Sequence, residues 1–186
     1  MTPFKPVLVL ALCASAVAAA AAHAEDPKPA TAKAALVSNT GSSAGEAQLT
    51  AAPGGVLLRI EATGLAPGWH GIHFHAKGDC SKSDFTSAGG HVHVHDPANP
   101  TVIHGLLSPG ANDSGDLPNI FADASGAAHA EIFSSLVSLT KGADGRASLL
   151  DEDGAAIVIH ANADDHRSQP IGGAGPRVAC GVIKPH

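Results

Sequence analysis

The sequence predicts an all-β chain, an antiparallel sandwich or barrel in which two long loops supply a site. Three observations carry this reading. Short runs alternate apolar and polar residues between Gly, Asp and Asn, the mark of half-buried strands. No window holds a capped amphipathic helix, and only residues 134–140 leave room for a single helical turn. Two stretches, roughly Ala76–Asn119 and Ala161–Pro176, lack strand patterning yet hold most of the histidines. Loops of that length in a compact domain are usually functional.

Taken in order, residues 1–24 read as an export signal. Lys5 precedes an apolar, small-residue run that ends in Ala22-His23-Ala24, a small-x-small cleavage site. The run is short and Ala-rich for a membrane anchor, and Leu12 is bulky where a lipid-modified Cys13 would need a small neighbour. Cleavage after Ala24 is therefore expected, leaving no anchor. Residues 25–33, EDPKPATAK, are polar and Pro-containing, a flexible leader. One domain spans 34–186. Within it AALVSNT is a short strand. GGVLLRIEATGL places Val56, Leu58 and Ile60 on one face and Leu57, Arg59 and Glu61 on the other. AHAEIFSSLVSL, RASLLDEDG, AAIVIHAN and PRVACGVI supply further strands.

The formal net charge is −6, and no Lys/Arg cluster is present. This argues against a nucleic-acid partner. It leaves an anionic small substrate open, because the field inside a cleft is local. Cleavage removes Cys13, so Cys80 and Cys180 remain as an even pair in an exported protein, which reads as a disulfide.

The chain has 12 histidines. They concentrate at 70/73/75 and at 91/93/95/104, with His160 ending the apolar run AAIVI. His129, His166 and His186 read as ordinary surface or hydrogen-bonded histidines. On a strand His73 and His75 share a face, while His70 points away and is expected to brace the backbone by hydrogen bonds. His91, His93 and His95 also share a face if extended. Imidazole ligation without thiolates suits copper, zinc, iron or nickel. Asp96, Asp113 and Asp116 are available as ligands or as their hydrogen-bond partners.

The segments GWHGIHFHAKGDC, SAGGH, HG, GDLPNI, VIHANADD and GGAGPRVACGVIK, in this order, resemble the bacterial copper-zinc superoxide dismutases over roughly residues 33–184. The resemblance implies a Greek-key β-sandwich in the periplasm, monomeric or homodimeric, that dismutates superoxide to dioxygen and hydrogen peroxide. It implies copper at His73, His75, His91 and His160, with His91 bridging to zinc and carrying a proton. Zinc is implied at His91, His104 and Asp116. Asp164 matches the carboxylate that links the two ligand shells. Arg177 matches the cation that binds the anionic substrate, and Cys80 and Cys180 match the intrasubunit disulfide.

Two departures from the family pattern stand out. Three residues before Asp116 the family has a zinc histidine, and here Asp113 takes its place. The bridging histidine is followed by an insertion, HVHVHDP, so His91, His93 or His95 could bridge; AGGH before His91 favours the first. The last zinc position then falls to Asp113, or to His93 or His95, and the zinc half is expected to be weakened. A copper/zinc-binding protein without turnover is the competing reading, against which Arg177 argues, since storage needs no substrate-binding cation. A structural or adhesive sandwich is a third, disfavoured by the number of matched positions.

Overall fold

Alternation in the sequence reappears as alternation in burial. In β3 (Gly55–Ala62), Val56, Leu58 and Ile60 are fully buried while Arg59 and Glu61 are exposed. The computed structural model describes residues 1, 28–98, 100–141 and 145–186. Apart from Met1, the export signal expected at 1–24 lies outside them.

The remaining strands are β1 (Thr31–Ser38), β2 (Ser43–Ala52), β4 (Gly68–His70), β5 (Ile72–His75), β6 (Ile120–Ala122), β7 (Ala128–Ser134), β8 (Val137–Ser138), β9 (Ala147–Ser148), β10 (Ala156–His160), β11 (Arg177–Val182) and β12 (Lys184–Pro185). The main sheet runs β5-β10-β11-β1-β2-β3-β7 and is antiparallel throughout, with β12 joined to β1. β4 and β6 form a second antiparallel pair, and β8 and β9 pair in parallel. The inner faces bury Leu36, Leu49, Leu58, Ile60, Phe74, Ile157 and Ile159 in one core.

Two local expectations change. β1 begins at Thr31 and pairs with β2 and β12, so residues 31–33 of the expected leader are strand. The run 134–140 holds no helical turn: β7 ends there and β8 follows. A short 3₁₀ turn spans Thr86–Ala88. The two long loops stand where the missing pattern put them, between β5 and β6 and between β10 and β11.

β10 is buried on both faces. Ile157 and Ile159 enter the main core, while Ala156 and Val158 pack under Phe85, Ala88 and Cys180. That second cluster is the underside of the first long loop, held down by the Cys80–Cys180 disulfide across a sequence separation of 100. Closing so long a loop restricts the unfolded chain by about 4–5 kcal/mol in the chain-entropy picture. Reduction of the folded protein should therefore lower its unfolding midpoint sharply and loosen residues 80–91. Chemical unfolding with and without reductant checks this, and an unchanged midpoint would refute it.

Candidate metal centre

Five imidazoles and three carboxylates converge on the outer side of β5 and β10. Strand geometry explains the first three. In β5, Ile72 and Phe74 enter the core, so His73 and His75 point the other way. They lie beside Val158 and Ala156 of β10, whose next residue of the same parity is His160. A register shift between Ile159 and His160 sets His160 opposite Arg177. The rings of His73 and His160 are 4.9 Å apart, and those of His73 and His91 4.1 Å.

The other ligands come from the first long loop, which binds the free edge of β5. Phe74 donates its N–H to Gly115 and accepts from Val92, and Ala76 donates to Gly90. These bonds set His91 opposite His75 and Asp116 opposite His73. Gly115 is required by proximity: a Cβ there would meet the Phe74 carbonyl and the His91 side chain.

Four of the five rings have one nitrogen bonded and one free. The His75 Nδ1–H donates to the Gly89 carbonyl at 2.9 Å, and the His160 Nδ1–H donates to that of Gly175 at 2.9 Å. The His73 Nε2–H donates to Asp164 Oδ2 at 2.9 Å. This leaves His73 Nδ1, His75 Nε2, His91 Nε2 and His160 Nε2 buried and without a hydrogen-bond partner. The four residues lie within ligand reach of one another, with donor atoms inside 4.8 Å. Four orphaned, inward-facing ring nitrogens are costly in a folded protein unless something binds them, and imidazole nitrogens suit copper. Burial first, then neighbouring charge, pushes the pKa of His75 down to about 2 and that of His160 to about 4, and burial also lowers His73. All three rings thus keep their lone pairs.

On the far side of His91 the donors change. His91 Nδ1 lies 2.9 Å from Asp113 Oδ2 and 3.3 Å from Asp116 Oδ1. His104 Nδ1 lies 2.6 Å from Asp116 Oδ1 and 3.8 Å from Asp113 Oδ2. Two imidazoles and two carboxylates therefore face a common point, a donor set that fits zinc. His73, His91, His104 and Asp116 also fall within 4.8 Å, with His73 Nε2 and His104 Nε2 both bonded to Asp164. Burial opposes a charge on His91, yet Asp113 and Asp116 outweigh it and raise its pKa to about 9. The same carboxylates create the negative potential that a dication requires.

Asp164 ties the halves together. It receives His73 on one side and His104 Nε2 on the other, at 3.2 Å, and its Oδ1 accepts the backbone N–H of His166 at 2.6 Å. Burial works against its charge, but these bonds hold its pKa well below the usual carboxylate range. Gly172, at φ +59°, lies against this carboxylate, and a Cβ there would collide with it. His70 is buried, its ring placed between the carbonyls of His160 and Ala66 at 2.7 Å each, the bracing position expected of it.

Arg177 is half-buried and donates to the carbonyls of Phe85 and Gly89. With His160 it lines an open cavity of about 490 Å³. The structure does not bring His95 or Asp96 into either cluster: His95 is exposed, and Asp96 caps its own turn through the Ala98 N–H. His93 is exposed as well. The expected common face of His91, His93 and His95 is lost because His91 and Val92 are both buried against β5, after which the chain leaves the sheet edge. Of the two roles left open for His166 the structure shows the hydrogen-bonded one: it is half-buried beside Asp164 and Asn119. Sequence reasoning also missed two supports. Asn119 clasps the Asp164 backbone through both its amide atoms, and Gln169 does the same for His104. Asn119 sits inside GDLPNI and was visible there; Gln169 carried no signal.

Comparison with known proteins agrees with this geometry. The family described as copper/zinc superoxide dismutase (SODC) matches residues 43–183. A copper-zinc superoxide dismutase of Caulobacter vibrioides is 63% identical over 154 residues, covering 83% of this chain and 86% of the relative. The crystal structure of a superoxide dismutase-like protein from Bacillus subtilis superposes with a TM-score of 0.72 at 36% identity, over 81% of this chain and 96% of that one. The Cu/Zn superoxide dismutase of Brucella abortus gives 0.64 at 26% identity, over 83% and 99%.

Proposed function

Since this chain belongs to the copper/zinc superoxide dismutase family, we propose that His73, His75, His91 and His160 hold its copper and that His91, His104, Asp113 and Asp116 hold its zinc. The chain is an oxidoreductase that dismutates superoxide, with copper and zinc as cofactors. Bound copper supplies one-electron redox chemistry that turns two superoxide anions and two protons into dioxygen and hydrogen peroxide. The observation that carries the ligand reading is the set of four buried, unpartnered imidazole nitrogens on three separate segments. Metal analysis together with a superoxide-consumption assay tests it: copper bound without turnover would favour a storage protein instead.

The remaining residues have separable tasks. His91 presents one nitrogen to each half, so it is the residue through which the zinc side fixes the copper side. Asp164 orients His73 and His104 at once and pins both tautomers. Arg177 offers two N–H groups to backbone carbonyls, which locks its planar head beside His160. A fixed cation at the bottom of an open cavity attracts a small monoanion however acidic the whole chain is. Arg177→Ala should therefore keep copper but lower the dismutation rate roughly tenfold or more, and weaken inhibition by small anions. Rate and salt dependence unchanged from wild type would rule out this role.

The Cys80–Cys180 bridge and the bacterial relatives support a setting outside the cytoplasm. We propose the periplasm, with residues 1–24 as the export signal and no anchor left after cleavage. Mass spectrometry of the secreted chain, finding Glu25 as its first residue, checks this.

A further inference from the structure

HVHVHDP contains two histidines that the proposed ligand sets do not use, and one of them is placed as a ligand would be. The His93 Nδ1–H donates to the backbone carbonyl of His91 at 3.2 Å. That bond fixes the tautomer and leaves Nε2 with its lone pair free. His75 and His160 are prepared in the same way, Nδ1 on a carbonyl and Nε2 open. Unlike them, His93 is exposed.

Its position gives this exposed donor a direction. His93 lines a cavity of about 350 Å³ whose wall also includes His91, His104 and Asp113, three members of the two-imidazole, two-carboxylate set. It also takes in His75, and it adjoins the cavity that His160 shares with Asp84 and Thr86, since Ile171 and Arg177 border both. On its other side His93 borders a smaller hollow of about 260 Å³ lined by Asp151 and Asp153. An acidic hollow concentrates cations, and the imidazole stands between that hollow and the buried site. His95, two residues on, lines neither cavity.

We infer that His93 is a loading residue: it takes a divalent cation, zinc, from solvent through Nε2 and passes it to His91, His104, Asp113 and Asp116, without remaining a ligand afterwards. The inference rests on the zinc assignment proposed above. It changes the rate of filling and not the final affinity, because a group that binds the ion only in passage contributes nothing to the end state.

The test follows Co²⁺, a zinc substitute whose visible absorption reports a four-coordinate site, as it enters the full chain loaded with copper and depleted of zinc. In His93→Ala and His93→Gln the uptake should slow several-fold. Final absorbance per chain, copper content and the dismutase activity of the filled protein should match wild type. His95→Ala should load at the wild-type rate. Wild-type kinetics in the His93 variants would overturn the inference. So would a lower final occupancy, which would make His93 a resident ligand, and so would equal slowing in His95→Ala, which would reduce the effect to general capture by surface imidazoles. If wild type itself gave no four-coordinate cobalt spectrum, the assignment of the four zinc residues would fall, and the loading role with it.

Discussion

His160→Ala is expected to abolish superoxide dismutation and to release copper, while the protein stays folded. The imidazole supplies one of the four orphaned nitrogens, and its other nitrogen is bonded only to the Gly175 carbonyl. Loss of a residue that merely orients a metal ligand costs about 10–100-fold, so loss of a ligand should exceed the upper figure. His73→Ala should be equally inactive but less stable. Its ring and the Asp164 carboxylate are both completely buried, and a buried hydrogen bond to a charged group is worth about 1.5–3 kcal/mol. The contrast separates the metal role from the structural one. Copper per chain, activity and urea unfolding of the two variants give the comparison, and full activity with bound copper in either would remove that histidine from the ligand set.

Asp113→Ala should empty the zinc half and leave copper in place. Asp113 Oδ2 stands 2.9 Å from His91 Nδ1, and without it two imidazoles and one carboxylate remain. With Asp113 present, two carboxylates replace the more neutral set of the family pattern, and both come from one loop. Zinc should therefore leave before copper under mild chelation, with activity lost only in part. Asp113→His should slow that loss. Metal per chain before and after dialysis against a chelator, with activity in parallel, measures all three proteins. One zinc held as firmly in Asp113→Ala as in wild type would show that Asp113 is not a ligand.

Strands with one dry face and one wet face were legible from residues alone. β3 follows Val56, Leu58 and Ile60, and the placing of His73 and His75 in β5 follows from the alternation that sends Ile72 and Phe74 inward. β2 was not legible, because its alternation changes phase. Gly45, at φ +109°, adds an irregular step where β1 and β2 shift register, so Ala44 and Ala47 are both buried though an odd number of residues apart. The four histidines of the proposed copper set were readable as a group because each ends or lies on a strand, or follows a specific motif. The zinc set was readable only as a choice. On paper His93 and His95 stood level with Asp113. What separates them is where the loop leaves the edge of β5, and that depends on hydrogen bonds between backbones far apart in sequence, from Phe74 to Gly115 and Val92.

That edge has a second consequence. β5 is the last strand of the main sheet, and an uncovered last strand is a template on which another molecule can pair. Here its outward N–H and C=O groups are occupied by residues 90, 92 and 115. The segments that deliver His91 and Asp116 are therefore also the guard against edge-to-edge self-association. Solubility and metal binding share one set of backbone bonds, so a change that frees the loop exposes a sticky border at the same moment that it dismantles the site.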